Sequence, residues 1–225
     1  MKKLNVFLTV IFAVAVFLLI ITASIALPIY LRFFYYLQIE PLGLTTSSGH
    51  DYETIKAAYD EVLNFLTLPN VPFGTGVFKY TESGMAHFYD CKVLFNLNLI
   101  VLIVSAALSI SLLILNKKKI ILLCRPFGMS AAFISAVSIF AFFGVLIILV
   151  SIDFDAAFTA FHHIFFPGKD NWLFDPRYDQ ILRILPQEFF MSCAILIASS
   201  IVIISVSIIV YGLIKRKKGR KKDIF

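Results

Sequence analysis

Apolar positions along this chain come in long blocks, not in the 3.6- or 2-residue alternation of elements half-buried in a soluble core. Four charge-free runs cover residues 4–31, 93–116, 126–152 and 189–214. A helix needs about 20 predominantly apolar residues to cross a ~30 Å hydrocarbon core. Inside lipid every backbone polar group must be bonded internally, so runs of this length are expected to be helical. The next longest uncharged run, 62–78, holds Pro69, Pro72, Gly74 and Gly76 and reads as loop. The pattern predicts an all-α membrane protein with four transmembrane helices. Its parts are helix 1 (1–32), a first outer segment (33–92), helix 2 (93–116), a link (117–125), helix 3 (126–152), a second outer segment (153–188), helix 4 (189–214) and a basic tail (215–225).

The two outer segments carry shorter helical signals. Asp51 is a suitable N-cap with Glu53 in the first turn, and Ile55, Tyr59, Val62 and Leu66 recur at helical spacing. This predicts a helix over 51–66. Phe154, Phe158, Phe161 and Phe165 fall on one helical face, and Pro167-Gly168 ends that helix. Tyr178, Ile181, Leu182 and Leu185 suggest a short helix stopping at Pro186. Phe33, Phe34, Tyr35 and Tyr36 form an aromatic band where helix 1 ends, a composition favoured at headgroup level. Neither segment is apolar enough to fold alone. Together they are expected to form one small cap.

Composition agrees with the blocks. Of 225 residues 60% are hydrophobic and 15% charged, against about 45–50% and about 25% in soluble domains. The net charge of +6 divides unevenly. Lys2, Lys3, Lys117, Lys118, Lys119, Arg125 and the seven basic residues of 215–222 lie on one side, with Asp223 the only acid there. The outer segments together with the flanking Arg32 carry 7 basic and 13 acidic residues. By the positive-inside rule both termini and the link are cytoplasmic and the cap is extracytoplasmic. The basic residues therefore mark topology and give no reason to expect nucleic acid, although the tail also suits anionic membrane lipid. Helix 1 resembles a signal peptide, but its apolar run far exceeds the ~7–15 residues of a signal core. It is expected to be a retained anchor. Cys91, Cys124 and Cys193 show no C-x-x-C spacing and lie at scattered depths, which fits packing better than a metal site or disulfide framework.

All four histidines, His50, His87, His162 and His163, fall in the outer segments. Imidazole suits acid and base work near neutral pH. His87 follows Glu82 and precedes Asp90, while His162 sits among phenylalanines. A carboxylate orienting one ring and an aromatic wall excluding water would suit acyl transfer. The same rings also suit a membrane boundary with no chemical role. There is no G-x-S-x-G elbow, no H-E-x-x-H and no phosphate-cradling Gly-rich loop. The predicted spans lack the ionisable residues a transport path would normally need. Ser105/Ser109 and Ala131/Ser135 have the small-residue spacing of helix packing.

The segments Glu82…His87-Phe88-Tyr89-Asp90 and Phe161-His162-His163-Ile164-Phe165-Phe166, followed by Trp172, Asp179 and Pro186…Phe189-Phe190, resemble those of the bacterial lipoprotein intramolecular transacylase family. The resemblance runs over the whole chain. It implies a multi-pass enzyme of the bacterial cell membrane with its active site on the extracytoplasmic face. The substrate it implies is a lipoprotein whose N-terminal cysteine carries a diacylglyceryl group and a free α-amine. The sn-2 acyl chain moves to that amine, giving a lyso-form N-acyl lipoprotein. The implied catalytic pair is His87 and His162, acting as acid and base. Glu82, Asp90, Asp179, Tyr80, Phe161, His163, Phe165 and Trp172 are candidates for orienting an imidazole or binding substrate. No cofactor, metal or obligatory protein partner is implied. Two other readings stay open on the residues alone: a non-enzymatic four-span scaffold binding a partner through its cap, and a metal-dependent membrane hydrolase.

Overall fold

The computed structural model describes the backbone of residues 2–222 and the side chains of 2–217. The last part of the basic tail, 223–225, lies outside the described residues. Among those described there are helices and turns and no strand. The helices are α1 (Lys2–Tyr30), α2 (Phe33–Tyr36), α3 (Leu44–Ser48), α4 (Tyr52–Thr67), α5 (Glu82–Lys117), α6 (Ala131–Ile152), α7 (Phe154–Phe165) and α8 (Gln187–Lys222), with 3-10 turns at Pro126–Gly128 and Gln180–Arg183. Four of them, α1, α5, α6 and α8, are long and apolar enough to cross a membrane. They coincide with the four charge-free runs. α5 starts well ahead of its charge-free stretch 93–116. Its 36 residues extend ~54 Å at 1.5 Å per residue, so residues 82–92 precede the part that lipid can cover.

The chain divides into two compact units. One comprises the residues up to Ile25, Leu99–Leu149 and those from Ile197 on. Its core includes Phe12, Val16, Ile20, Leu112, Ile139 and Ile201. Small residues bring helices together here. Ser105, Ser109, Ala131 and Ser135 are all buried, and Ser135 Oγ donates to the Ala13 carbonyl of α1 at 2.8 Å. Large apolar side chains such as Ile100, Ile103, Val145 and Ile148 face outward, the inverse of a soluble protein and the arrangement lipid requires.

The other unit, Ala26–Asn98 and Val150–Leu196, contains both outer segments in a single core. Tyr35 is fully buried, stacks on Tyr59 at 3.7 Å and donates its hydroxyl to the Ile184 carbonyl at 2.7 Å. Ile55, Val62, Phe65, Ile181 and Phe189 complete this core. α4 begins as expected, with Asp51 accepting from the Thr54 amide at 2.8 Å. The aromatic band is less uniform than its composition implies. Phe33 is exposed, whereas Tyr35 belongs to the core and Tyr36 donates to Asp60. The helix expected over 178–185 shrinks to one 3-10 turn at Gln180–Arg183. Its flanks are pinned elsewhere: the Gln180 amide donates to the Lys79 carbonyl at 2.9 Å, and Asp179 binds Thr81. Those bonds between distant segments compete with the next helical turn and win.

Candidate active site

His87 lies on the second turn of α5 and His162 near the end of α7. α7 exists because Asp153 interrupts the helix before it. Asp153 leaves helical geometry and accepts from the Ala156 amide at 2.9 Å, restarting the chain as a capped helix. The apolar face of α7 then carries His162 inward, and a loop with Gly168 in left-handed geometry (φ 71°) follows it. The two histidines are 6% and 7% exposed, and their ring centroids are 5.6 Å apart.

Aromatic rings enclose the pair. Phe166 and Phe174 meet His87 edge-on at 4.8 and 5.6 Å. Phe158 lies 4.4 Å from His162. Trp172 stacks on His162 at 4.7 Å with 25° between planes, its indole N–H held by the Lys169 carbonyl at 2.9 Å. The ring of His162 has a defined proton. A carbonyl oxygen only accepts, so Nδ1, 2.7 Å from the Phe158 carbonyl, carries the hydrogen and Nε2 is left as the basic nitrogen.

Burial lowers the pKa of both rings, because an imidazolium loses hydration among apolar neighbours. For His87 burial, followed by the charge of His162, brings the value down to about 4 against the opposing pull of Asp90 and Asn171. For His162 burial outweighs the Phe158 carbonyl. Both rings are therefore neutral bases at neutral pH. Cys91 Sγ is 3.4 Å from His87 Nε2, a spacing that suggests a thiol nucleophile. Burial pushes that thiol up to about 12, so it stays protonated and poorly nucleophilic.

The remaining predicted residues separate into those near the pair and those apart from it. His163 is exposed and meets Trp172 edge-on at 5.5 Å. Phe161 meets His162 edge-on at 5.5 Å and stacks with Phe165. Asp90 does not hold an imidazole directly. It pairs with Lys169 at 2.5 Å and accepts from Asn171 at 2.9 Å. These bonds outweigh its burial and hold it below the usual carboxylate range. Asp179, 2% exposed, also serves the backbone. It accepts from the Thr81 amide and hydroxyl at 2.8 Å each and from the Asp175 amide at 3.1 Å. Thr81 in turn accepts from the Gly84 amide, capping α5. Glu82 is exposed, and Tyr80 packs on Phe73 at 4.9 Å. His50 sits apart, against Phe78.

Sequence reasoning missed Phe174, Asn171 and Gly84. The first two lie in the loop that carries Trp172, and only the fold shows that this loop faces α5. Gly84 carries a legible signal, a glycine one turn before His87. A Cβ there would lie 2.6 Å from Asp179 Oδ1 and 2.8 Å from Phe174 Cε1, so its absence lets the loop reach the helix. Among the described residues no three of His, Cys, Asp and Glu converge as metal ligands.

Comparison with known proteins bears on this site. The family model for lipoprotein intramolecular transacylase Lit matches residues 10–190. Curated protein sequences give no match. Among solved structures, the membrane integral lipoprotein intramolecular transacylase Lit from Bacillus cereus superposes with a TM-score of 0.85 at 22% identity, covering 100% of both chains. Two variants of that protein, with one histidine changed to arginine or to alanine, give TM-scores of 0.76 and 0.74 at 22% and 23% identity. Coverage is 97% of this chain and 96% of the first variant, and 96% and 97% for the second. Those structures share the fold, and the family model covers most of the chain: this multi-pass membrane protein belongs to the lipoprotein intramolecular transacylase (Lit) family of acyltransferases.

Proposed function

We propose that this protein moves the sn-2 acyl chain of a diacylglyceryl-cysteine lipoprotein to the α-amine of the same cysteine. The N–C amide bond forms and the sn-2 ester C–O bond breaks. The starting ammonium loses two protons, the glyceryl oxygen gains one, and one proton leaves to solvent. The observation that carries this reading is the buried pair His87 and His162, two neutral imidazoles 5.6 Å apart in an aromatic shell.

Such a shell favours each step. An ammonium drawn among Phe158, Phe166, Phe174 and Trp172 loses hydration and gives up its proton more readily, as a buried lysine does. One imidazole accepts a proton from nitrogen as it attacks the ester carbonyl. Because both rings start neutral, the acid form is generated within the cycle from the substrate's own proton. That proton passes to the departing sn-2 oxygen. General acid and base steps each contribute typically ~10²–10⁴-fold. Donor and acceptor share one molecule, so the remaining requirement is orientation into a cyclic attack geometry. No covalent acyl-enzyme is needed. No cofactor or obligatory protein partner enters the scheme.

The charge partition supports an orientation with both termini cytoplasmic and the histidines on the extracytoplasmic face of a bacterial cell membrane. The outer segments then form the cap over the reaction, met by substrate from the membrane. His87 and His162 are the catalytic residues in this reading, and Trp172, Phe161 and Phe165 line the approach. Mass spectrometry of a diacylglyceryl lipopeptide incubated with purified protein tests it. His87→Ala and His162→Ala each abolish N-acyl product, while His163→Ala keeps most of it. Near wild-type turnover by His87→Ala overturns the mechanism. An unchanged lipopeptide with wild-type protein, together with a partner retained through detergent, points instead to a scaffold.

A further inference from the structure

Two polar atoms beside the histidine pair are buried and have no hydrogen-bond partner: Nδ1 of His87 and Oδ1 of Asn171. Their other ends are engaged. His87 Nε2 faces Cys91, and Asn171 Nδ2 donates to Asp90 Oδ2 at 2.9 Å. The amide of Asn171 cannot be reversed without setting its oxygen against a carboxylate, which only accepts. Lys169, 2.5 Å from Asp90 Oδ1, keeps that carboxylate ionised and in place. The oxygen of Asn171 is thereby forced to point away from Asp90. Asn171 lies within reach of that ring, since it favours the protonated form of His87, and Asp90, to which its amide is tied, stands one helical turn beyond His87 on α5.

Resting on the proposed role of His87, we propose that Asn171 is a positioning residue. Clamped by Asp90 and Lys169, it presents Oδ1 to the Nδ1–H of His87 and keeps Nε2 as the basic nitrogen. The logic is that of a buried acceptor selecting a histidine tautomer. Here a neutral amide performs it, and the charge stays one residue further out. A carboxylate in direct contact would raise the imidazole pKa more strongly. An amide fixes the ring while leaving it neutral. His162 reaches the same tautomer by a separate device, its bond to the Phe158 carbonyl. Both rings then carry their lone pair on Nε2, which on His87 faces the Cys91 thiol and must leave it to take a proton from substrate.

The test reads the tautomer directly. Protein labelled with ¹⁵N-histidine gives ring-nitrogen shifts in detergent micelles, and a His87→Phe spectrum assigns the His87 signals by difference. The expected wild-type spectrum has His87 protonated on Nδ1 and bare on Nε2. Asn171→Leu shifts His87 toward the Nε2–H form and lowers kcat on the lipopeptide by about 10–100-fold, the scale of losing an orienting partner, with KM within about threefold. Asp90→Asn allows the Asn171 amide to turn and has a similar, smaller effect. The exchange Asp90→Asn with Asn171→Asp restores an acceptor on Nδ1 and recovers the tautomer. A bare Nδ1 on His87 in the wild type overturns the proposal, whether or not Asn171→Leu folds. So does an unchanged tautomer in Asn171→Leu. The reading beneath it fails separately, through turnover by His87→Ala, which leaves the wild-type spectrum as it is.

Discussion

Gly84 offers a worked prediction, because one methyl group there acts on both the stability and the chemistry of the site. In Gly84→Ala the new Cβ would meet Asp179 Oδ1 at 2.6 Å and Phe174 at 2.8 and 3.2 Å. Restoring an ordinary 3.4 Å contact requires Phe174 to move about 0.6 Å. Overpacking of this kind costs about 1–3 kcal/mol. Displacing Asp179 also loosens the bonds from the Thr81 amide and hydroxyl, at about 1–3 kcal/mol for a buried group left unpaired. Helix propensity returns about 1 kcal/mol. The expected net destabilisation is about 3 kcal/mol, or roughly 6–12 °C for a chain of this size. Phe174 contacts His87 edge-on, and an ångström of misplacement costs about 10²-fold in rate. Turnover should therefore fall about tenfold. Gly144 provides the control. It is also helical, but a Cβ there meets nothing within 4 Å, so Gly144→Ala should be neutral or slightly stabilising. Thermal unfolding in detergent, read from the single tryptophan, Trp172, measures stability, and the lipopeptide assay measures rate. If Gly84→Ala melted and turned over like the wild type, the close approach of the loop to α5 would be wrong.

Other consequences follow from the same contacts. In the unfolded chain both buried histidines titrate near ~6.5, while His87 falls to about 4 in the fold beside His162, Asp90, Lys169, Asn171 and Cys91. Between those values the unfolded chain binds more protons, so stability is full above about pH 6.5 and declines toward pH 4; a His87→Phe variant should flatten that slope in melting curves, and an unchanged slope would contradict it. Asp179→Ala should destabilise by about 3–5 kcal/mol by leaving two backbone amides and a hydroxyl unpaired, seen as a large drop in melting temperature. Cys91→Ser should keep most activity, because no thioester intermediate is needed; loss of turnover together with an acylated Cys91 in the wild type would show covalent catalysis instead. A chelator should leave lipopeptide conversion unchanged, and restoration of lost activity by added metal would favour a metallohydrolase.

How far the sequence reached differs between fold and site. The four spanning helices were legible from charge-free runs, because hydrocarbon thickness sets a minimum length and tolerates little charge. α4 was legible from its N-cap and apolar stripe, and α7 from its phenylalanine stripe and the Pro167-Gly168 stop, while the Asp153 cap emerged only in the structure. α2 and α3 were not: at four and five residues they are too short to carry periodicity and are held by the core. Asp90 and Asp179 stood out in the sequence as candidates for orienting an imidazole or binding substrate, and in the fold each is tied to other groups. Their partners are Lys169 and Asn171 in one case and Thr81 in the other, side chains with no distinguishing pattern in the chain.

Length, apolar content and charge placement are local quantities, and lipid acts on each segment separately. The sequence by itself therefore determined the class, the number of apolar spans and the Asp51 cap of α4, and it narrowed the candidate chemistry to four histidines. Which histidine of the 162–163 pair turns inward, which way Asn171 presents its amide and why residue 84 is glycine depend on contacts between distant segments, such as Thr81 to Asp179 across 98 positions. Only the tertiary structure decided those, because close packing brings together atoms whose separation along the chain leaves no periodic trace.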